Sequence, residues 1–136
     1  MPSTQIVFYQ EIDGEVPVLE WLKQLMQQNR KGYANCVARI QQLATGGYEL
    51  RRPAADYLRD GIYELRAKHV HVQYRILYFF GGQNVAILAH AITKEDAAVP
   101  EIEIERAIQR QRLFEENPQV HTYMEEIQVE ENGKDK

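Results

Sequence analysis

Two arginines stand inside the strand-forming stretches of this chain, Arg66 in Gly61-Ile-Tyr-Glu-Leu-Arg66 and Arg75 in Tyr74-Arg75-Ile-Leu-Tyr-Phe-Phe80. A guanidinium in an apolar strand must be paired, leave the core or face an anion, because an unpaired buried charge is costly. The chemistry that such a pair offers is therefore anion binding. Strand alternation puts Ile62, Glu64 and Arg66 on one face, and Arg75, Leu77 and Phe79 on one face of the following strand. A hairpin bent symmetrically at 70–71 sets Arg66 directly across from Arg75, where like charges repel. Two readings stand open. Glu64 pairs with an arginine on a solvated face, as surface ion pairs commonly do, or the arginines hold an anion.

The histidines are the other side chains that could move a proton or bind a metal. His69 and His71, two residues apart, lack a third ligand, and a polar turn is the plainer reading. His90 falls near the end of an apolar strand, where a hydrogen-bonded structural histidine is the default. Cys36 lies on a helical apolar face and reads as core. The chain has no serine nucleophile elbow, no phosphate-cradling glycine loop and no metalloprotease helix motif. The tyrosines and phenylalanines of 74–80 build sheet and core, although an exposed one, Tyr78 among them, could stack on a base.

The elements that must position these groups follow from periodicity. Ile6–Tyr9 reads as a first strand, ended at Asp13-Gly14. Pro17 opens a helix with Val18, Trp21, Leu22, Leu25 and Met26 on one side. A second helix carries Tyr33, Cys36, Val37, Ile40 and Leu43 and stops at Gly46-Gly47. Residues 48–60 read as irregular, with a one-turn segment near 54–58. Strands follow at 62–68, 72–80 and 84–92, the last two joined at Gly81-Gly82; nothing in 68–72 favours the positive φ of a tight turn. Pro100 starts a helix to about Glu115. Asn117-Pro118 then predicts one more helix, over 118–128, with Val120, Tyr123, Met124 and Ile127 as its stripe. The order β-α-α-β-β-β-α implies an α+β sandwich with helices on one face of a mostly antiparallel sheet, plus an additional C-terminal helix. The expected division is a domain over 1–116 and a helical extension with an acidic tail over 117–136.

Composition narrows the setting. At 136 residues one domain with a proper core is expected. A single cysteine excludes a disulfide framework and fits a reducing cytoplasm. No apolar run is long enough to span a membrane, and the N-terminus does not open as a signal peptide. The net charge of −4 is uneven: residues 1–94 hold 11 Lys/Arg against 8 Asp/Glu, and residues 95–136 hold 5 against 12. A basic patch on the body could still meet nucleic acid.

Tyr63-Glu64-Leu65-Arg66, Tyr74–Phe80, Leu88-Ala89-His90 and Ile92-Thr93-Lys94 up to Pro100 together resemble the phage-derived HigB branch of the RelE toxin superfamily. The likeness covers about residues 5–115. It implies a RelE-like fold and a type II toxin–antitoxin toxin. Such a toxin is an mRNA endonuclease, ribosome-associated in many members, neutralised by a HigA-like helix-turn-helix antitoxin. The implied chemistry needs no metal or other cofactor: a 2′-OH attacks the adjacent phosphate, cations stabilise the phosphorane, and an acid or base moves the proton. On this resemblance Arg75 takes the place of the catalytic arginine, Arg66 that of a second basic strand residue, and Lys94 that of a lysine at the strand end. His90, His71 and His69 are the acid/base candidates, and Lys68 and Tyr78 the RNA contacts. The chain departs from the pattern at Glu64 and Glu95, where cations are usual, with Asp96 also acidic, and at Ala97 and Ala98, where basic residues are often found.

Overall fold

The computed structural model describes residues 3–94 and 98–124. Strand β1 (Gln5–Tyr9) leads into helix α1 (Pro17–Gln28), which has Pro17 in its first turn and buries Val18, Leu19, Leu22 and Leu25. Asn29 ends α1 and caps α2 (Arg30–Gly46), its side chain accepting a hydrogen bond from the Gly32 backbone N–H at 3.0 Å. One residue thus serves both helix ends, which folds α1 and α2 into a hairpin. Gly47, at φ +55°, closes α2 where a side chain would be strained.

Three antiparallel strands carry the residues of interest: β3 (Ile62–His69), β4 (Val72–Phe80) and β5 (Val85–Lys94). The β3–β4 hairpin bends at Val70 and His71, so that Arg66 lies directly opposite Arg75. Val70 adopts φ +60°, an uncommon conformation for a β-branched residue. The long strand pairing on either side holds it there.

Two elements differ from expectation. The stretch read as irregular contains β2 (Ala55–Arg59), which pairs antiparallel with β3. The helix expected over 118–128 is not formed over its described part. Asn117 caps α3 (Glu101–Glu116), a turn follows in which the His121 N–H donates to the Pro118 carbonyl at 3.2 Å, and β6 (Thr122–Tyr123) pairs with β1. The His121 ring stacks on Tyr9, 5.1 Å between centroids, and its Nδ1 lies 2.7 Å from the Gln10 carbonyl. These contacts draw the chain into the sheet edge. Residues 125–128 of the expected helix lie outside the described residues.

The sheet order is β2-β3-β4-β5-β1-β6, with β1 parallel to β5 and every other pair antiparallel. The α+β class is as expected, and the expected β-α-α-β-β-β-α order is present with β2 added before β3 and β6 after α3. Helices occupy both faces, however. The α1/α2 hairpin covers Phe8, Leu65, Tyr74, Ile76, Tyr78 and Leu88. Helix α3 lays Ile104, Ala107, Ile108 and Phe114 on Val7, Ile62, Leu77, Phe79 and Ile87 of the opposite face. Among the described residues no helix is long and apolar enough to cross a membrane.

Candidate anion-binding site on the sheet

The apolar cluster beneath α3 ends at Leu77, and the next residues of β4 on that face are Arg75 and Gln73. Across the ladder stand Arg66 and Lys68 of β3 on one side, and Ile92 and Lys94 of β5 on the other. Arg66, Arg75 and Lys94 therefore share one face and one end of the sheet. The shared face is a consequence of alternation, and the shared end of the short Val70-His71 turn.

Glu64 organises this end. Its carboxylate is 3% exposed; Oε2 accepts a hydrogen bond from Arg66 Nη1 at 2.8 Å, and Oε1 lies 3.1 Å from Arg75 Nε. The second contact is an ion pair poorly aligned as a hydrogen bond. At that separation inside the protein the attraction between the charges is large whatever the angle. Arg75, itself 1% exposed, also donates through Nη1 to the Tyr74 carbonyl at 3.3 Å and through Nη2 to Gln73 Oε1. Burial pushes the Arg75 guanidinium below its ordinary value, Glu64 pulls it back up, and Arg66 and Arg52 depress it further. A guanidinium nonetheless stays charged at neutral pH. In this state the carboxylate-pairing reading of the two arginines holds, with one carboxylate shared by both.

The arrangement is nevertheless open on one side. A cleft of about 530 Å³ is lined by Arg39, Arg52, Arg66, Lys68, Gln73 and Arg75, with Pro53 and Ala67. Arg39 and Arg52 come from outside the strands. Arg39, on α2, donates through Nε to the Arg66 carbonyl at 2.7 Å, and Arg52 holds Asp56 Oδ2 at 2.8 Å. That bond is the main reason the Asp56 carboxyl lies below its ordinary value. The Arg51-Arg52 pair before Pro53 was visible in the sequence, but only tertiary packing brings it beside Arg66. Five cationic side chains thus border a cleft whose nearby carboxylates, among the described residues, are Glu64 and Asp56. Such a cleft attracts anions, and guanidinium forks suit the oxygens of phosphate.

The remaining candidates fall elsewhere. Tyr78, expected as a base-stacking side chain, is 1% exposed on the α1/α2 face, where it stacks on Tyr63. Alternation that puts Arg75 toward α3 necessarily puts Tyr78 toward the other core. Burial raises its hydroxyl pKa strongly. His69 is turned to the face opposite Lys68, and His71 is exposed in the hairpin turn, so neither is brought into the arginine cluster.

His90 stands opposite Leu77, on the arginine face because a bulge in β5 at this point lets Ala89 and His90 both turn toward α3. Its Nε2 contacts Glu103 Oε1, and its Nδ1 lies 3.2 Å from Arg110 Nη1, which also donates to the Ala89 carbonyl at 2.7 Å. Since Arg110 can only donate, Nδ1 must accept, and the proton sits on Nε2. Burial lowers the His90 pKa, against the pull of Glu103. This is a neutral, structurally engaged histidine. Glu95, Asp96 and Ala97, where the chain departs from the family pattern, lie outside the described residues, and Ala98 is exposed.

No curated protein matches the chain. A family model described as "Phage derived protein Gp49-like (DUF891)" matches residues 20–112. That span reaches from α1 into α3 and includes every residue lining the arginine cleft. The chain belongs to this Gp49-like phage-derived family, a family of RelE/HigB-like toxins.

Proposed function

We propose that the protein is the toxin of a type II toxin–antitoxin pair, of the HigB-like kind, and that it acts in the cytoplasm as a metal-free mRNA endoribonuclease. The observation that carries this reading is the opposition of Arg66 and Arg75 beside a cleft bordered by three further cations. A phosphate entering the cleft meets Arg66 first, because Arg66 is the more exposed of the two arginines. It competes with Glu64 for that guanidinium. The 2′-OH then attacks the adjacent phosphorus and the bond to the 5′ oxygen breaks, leaving a 2′,3′-cyclic phosphate and a free 5′-OH. Arg75 and Arg66 stabilise the additional negative charge of the phosphorane. Lys94, two pairs along the ladder from Arg75 and on the same face, contacts the backbone or the leaving oxygen. With His90 engaged by α3, Glu64, Lys68 and Lys94 are candidates among the described residues for moving the proton from the 2′-OH to the leaving 5′ oxygen.

The direct test is induced expression in a bacterial host. Translation should stop, message should be cut to cyclic-phosphate ends, and Arg75→Ala should restore growth. Harmless expression of the wild type at high yield would overturn the proposal. Ribosome dependence is read by comparing cleavage of naked and translated message. Neutralisation should come from a HigA-like helix-turn-helix protein, checked by co-purification with the product of a neighbouring reading frame.

A second reading is favoured by Glu64, which already pairs with both strand arginines. On this reading the protein binds RNA or an antitoxin-like partner without cutting. It predicts a stable complex, no cleavage, and toxicity regained in Glu95→Lys.

A further inference from the structure

A strip of aromatic rings runs along the sheet on the face opposite the arginines. Tyr48 stacks on Phe80 with 3.9 Å between centroids. Phe80 meets the edge of Tyr63 at 5.3 Å, and Tyr63 meets Tyr57 at 4.9 Å. The middle of the strip is packed against the core, but its two ends are open: Tyr48 is 53% exposed and Tyr57 52%. Large rings this exposed contribute little to the core, and both are already held in place. Tyr48 is held by stacking, and Tyr57 by its hydroxyl, which accepts a hydrogen bond from the Gly61 N–H at 3.0 Å.

The strip is continuous with the arginine cleft. Arg39 and Pro53 line both that cleft and a shallow groove along α2. Leu50 and Arg51 line both that groove and a third cleft, walled by Tyr57 and Tyr63. One path therefore leads from Arg66 over the connection at 50–54 to Tyr57, and Tyr48 joins it through its stack on Phe80. Arg51 sits midway, its guanidinium turned back to the Tyr48 carbonyl at 2.5 Å and the Leu50 carbonyl at 2.9 Å. Cations at one end and along the way, with exposed rings at the other, are the combination that holds single-stranded nucleic acid: charge tracks the backbone and rings stack on bases of any sequence.

We infer that Tyr57 and Tyr48, with Arg51, form a stacking subsite for unpaired bases of an RNA strand whose backbone continues into the Arg66/Arg75 cleft. This rests on the proposed RNA-directed function and adds to it a second contact region, on the other side of the β2 edge. The subsite adds base stacking to a cleft whose lining is chiefly cationic. It also predicts that affinity depends on strand length.

The test is fluorescence anisotropy on the full chain with a labelled 2′-O-methyl oligonucleotide of about eight nucleotides, which cannot be cleaved, and with a trinucleotide of the same chemistry. Tyr48→Ala/Tyr57→Ala should weaken binding of the longer strand by about 5- to 150-fold for each base unstacked and leave the trinucleotide nearly unchanged. Tyr48→Phe should keep wild-type affinity, because the ring and not the hydroxyl is used. Arg66→Ala should weaken both probes. If the double tyrosine variant, shown folded by circular dichroism, binds the longer strand as the wild type does, the subsite is refuted even where cleavage is intact. If it loses a co-purifying protein partner while RNA affinity is unchanged, the strip belongs to that partner and the inference is likewise overturned. Tyrosine-dependent binding in a protein that cuts no RNA supports the subsite and refutes only the endonuclease reading.

Discussion

The face of the sheet beneath α3 carries two polar clusters built from similar parts. In one, His90, Glu103 and Arg110 join β5 to α3, and both imidazole nitrogens have partners. In the other, Glu64, Arg66 and Arg75 join β3 to β4, two like charges face each other across the ladder, and a cleft opens beside them. The first cluster is matched donor to acceptor and covered by a helix. The second, among the described residues, sets two guanidiniums around one carboxylate beside an open cleft. Cover by a helix as against an adjoining open cleft, more than residue type, separates the two clusters. By that difference the histidine is engaged in the fold, and the pair of arginines is the candidate site.

Experiments that break this contrast differ in size. The largest effect is expected from Glu64→Ala, which leaves two guanidiniums opposed with Arg75 buried. Loss of one partner from a buried ion pair costs roughly 3–5 kcal/mol, to be measured by urea denaturation. Inorganic phosphate should restore part of that stability, and no restoration would argue against an anion site.

Next is Arg75→Lys, which keeps charge but loses the planar fork. If the fork stabilises the phosphorane, cleavage by the folded variant should fall on the order of 10²–10³-fold, read from single-turnover RNA cleavage. A rate near wild type would remove Arg75 from the chemistry.

A smaller effect belongs to the closed cluster. His90→Ala should lower stability by about 1–3 kcal/mol, because Glu103 and Arg110 each lose a buried partner. The cleavage rate per folded molecule should hold, and a large loss of rate would return His90 to the catalytic set.

The same histidine gives a pH signature. Its folded pKa lies below the ordinary 6.5, burial being the main cause. As pH falls below 6.5 the unfolded chain takes up a proton before the folded one does. The stability that His90 contributes is complete above that pH and is lost as pH falls toward and through the folded value. Thermal melts between pH 7.5 and 5 should show this slope, and it should flatten in His90→Gln.

The smallest change is expected from Lys68→Ala at the cleft rim. Stability should hold, while RNA affinity weakens and the salt dependence of binding falls by about one unit of slope.

Much of the site could be read before the fold was seen. Alternation and the short turn gave the Arg66–Arg75 register, since both are local rules with a period of two. Glu64 was named as a partner on the same grounds, although not as a carboxylate shared by both arginines. Tyr78 was misplaced because an aromatic run looks the same whichever face is covered. Arg39 and Arg52 went unrecognised because they reach the cleft from a helix and a loop whose docking no local pattern encodes. β2 was missed for a related reason. Ala55-Asp-Tyr-Leu-Arg59 has weak strand character and becomes a strand through its ladder with β3. At the other edge, Asn117-Pro118 carried a helix-start signal, yet pairing with β1 and the stacking of His121 on Tyr9 prevailed over it.

The sequence by itself determined the α1/α2 hairpin, the three central strands, the start of α3 and, for a hairpin bent at 70–71, the opposition of two arginines. Each depends on side chains a few residues apart, where periodicity, capping and turn chemistry act. Only the tertiary structure decided that α3 crosses to the face opposite α1 and α2, that Glu64 is buried between two guanidiniums, and that His90 is fully engaged. It alone brought the Arg51-Arg52 segment between an arginine cleft and a strip of exposed tyrosines. Those outcomes depend on which surfaces meet, and burial and pairing between distant segments outweigh any preference held within one of them.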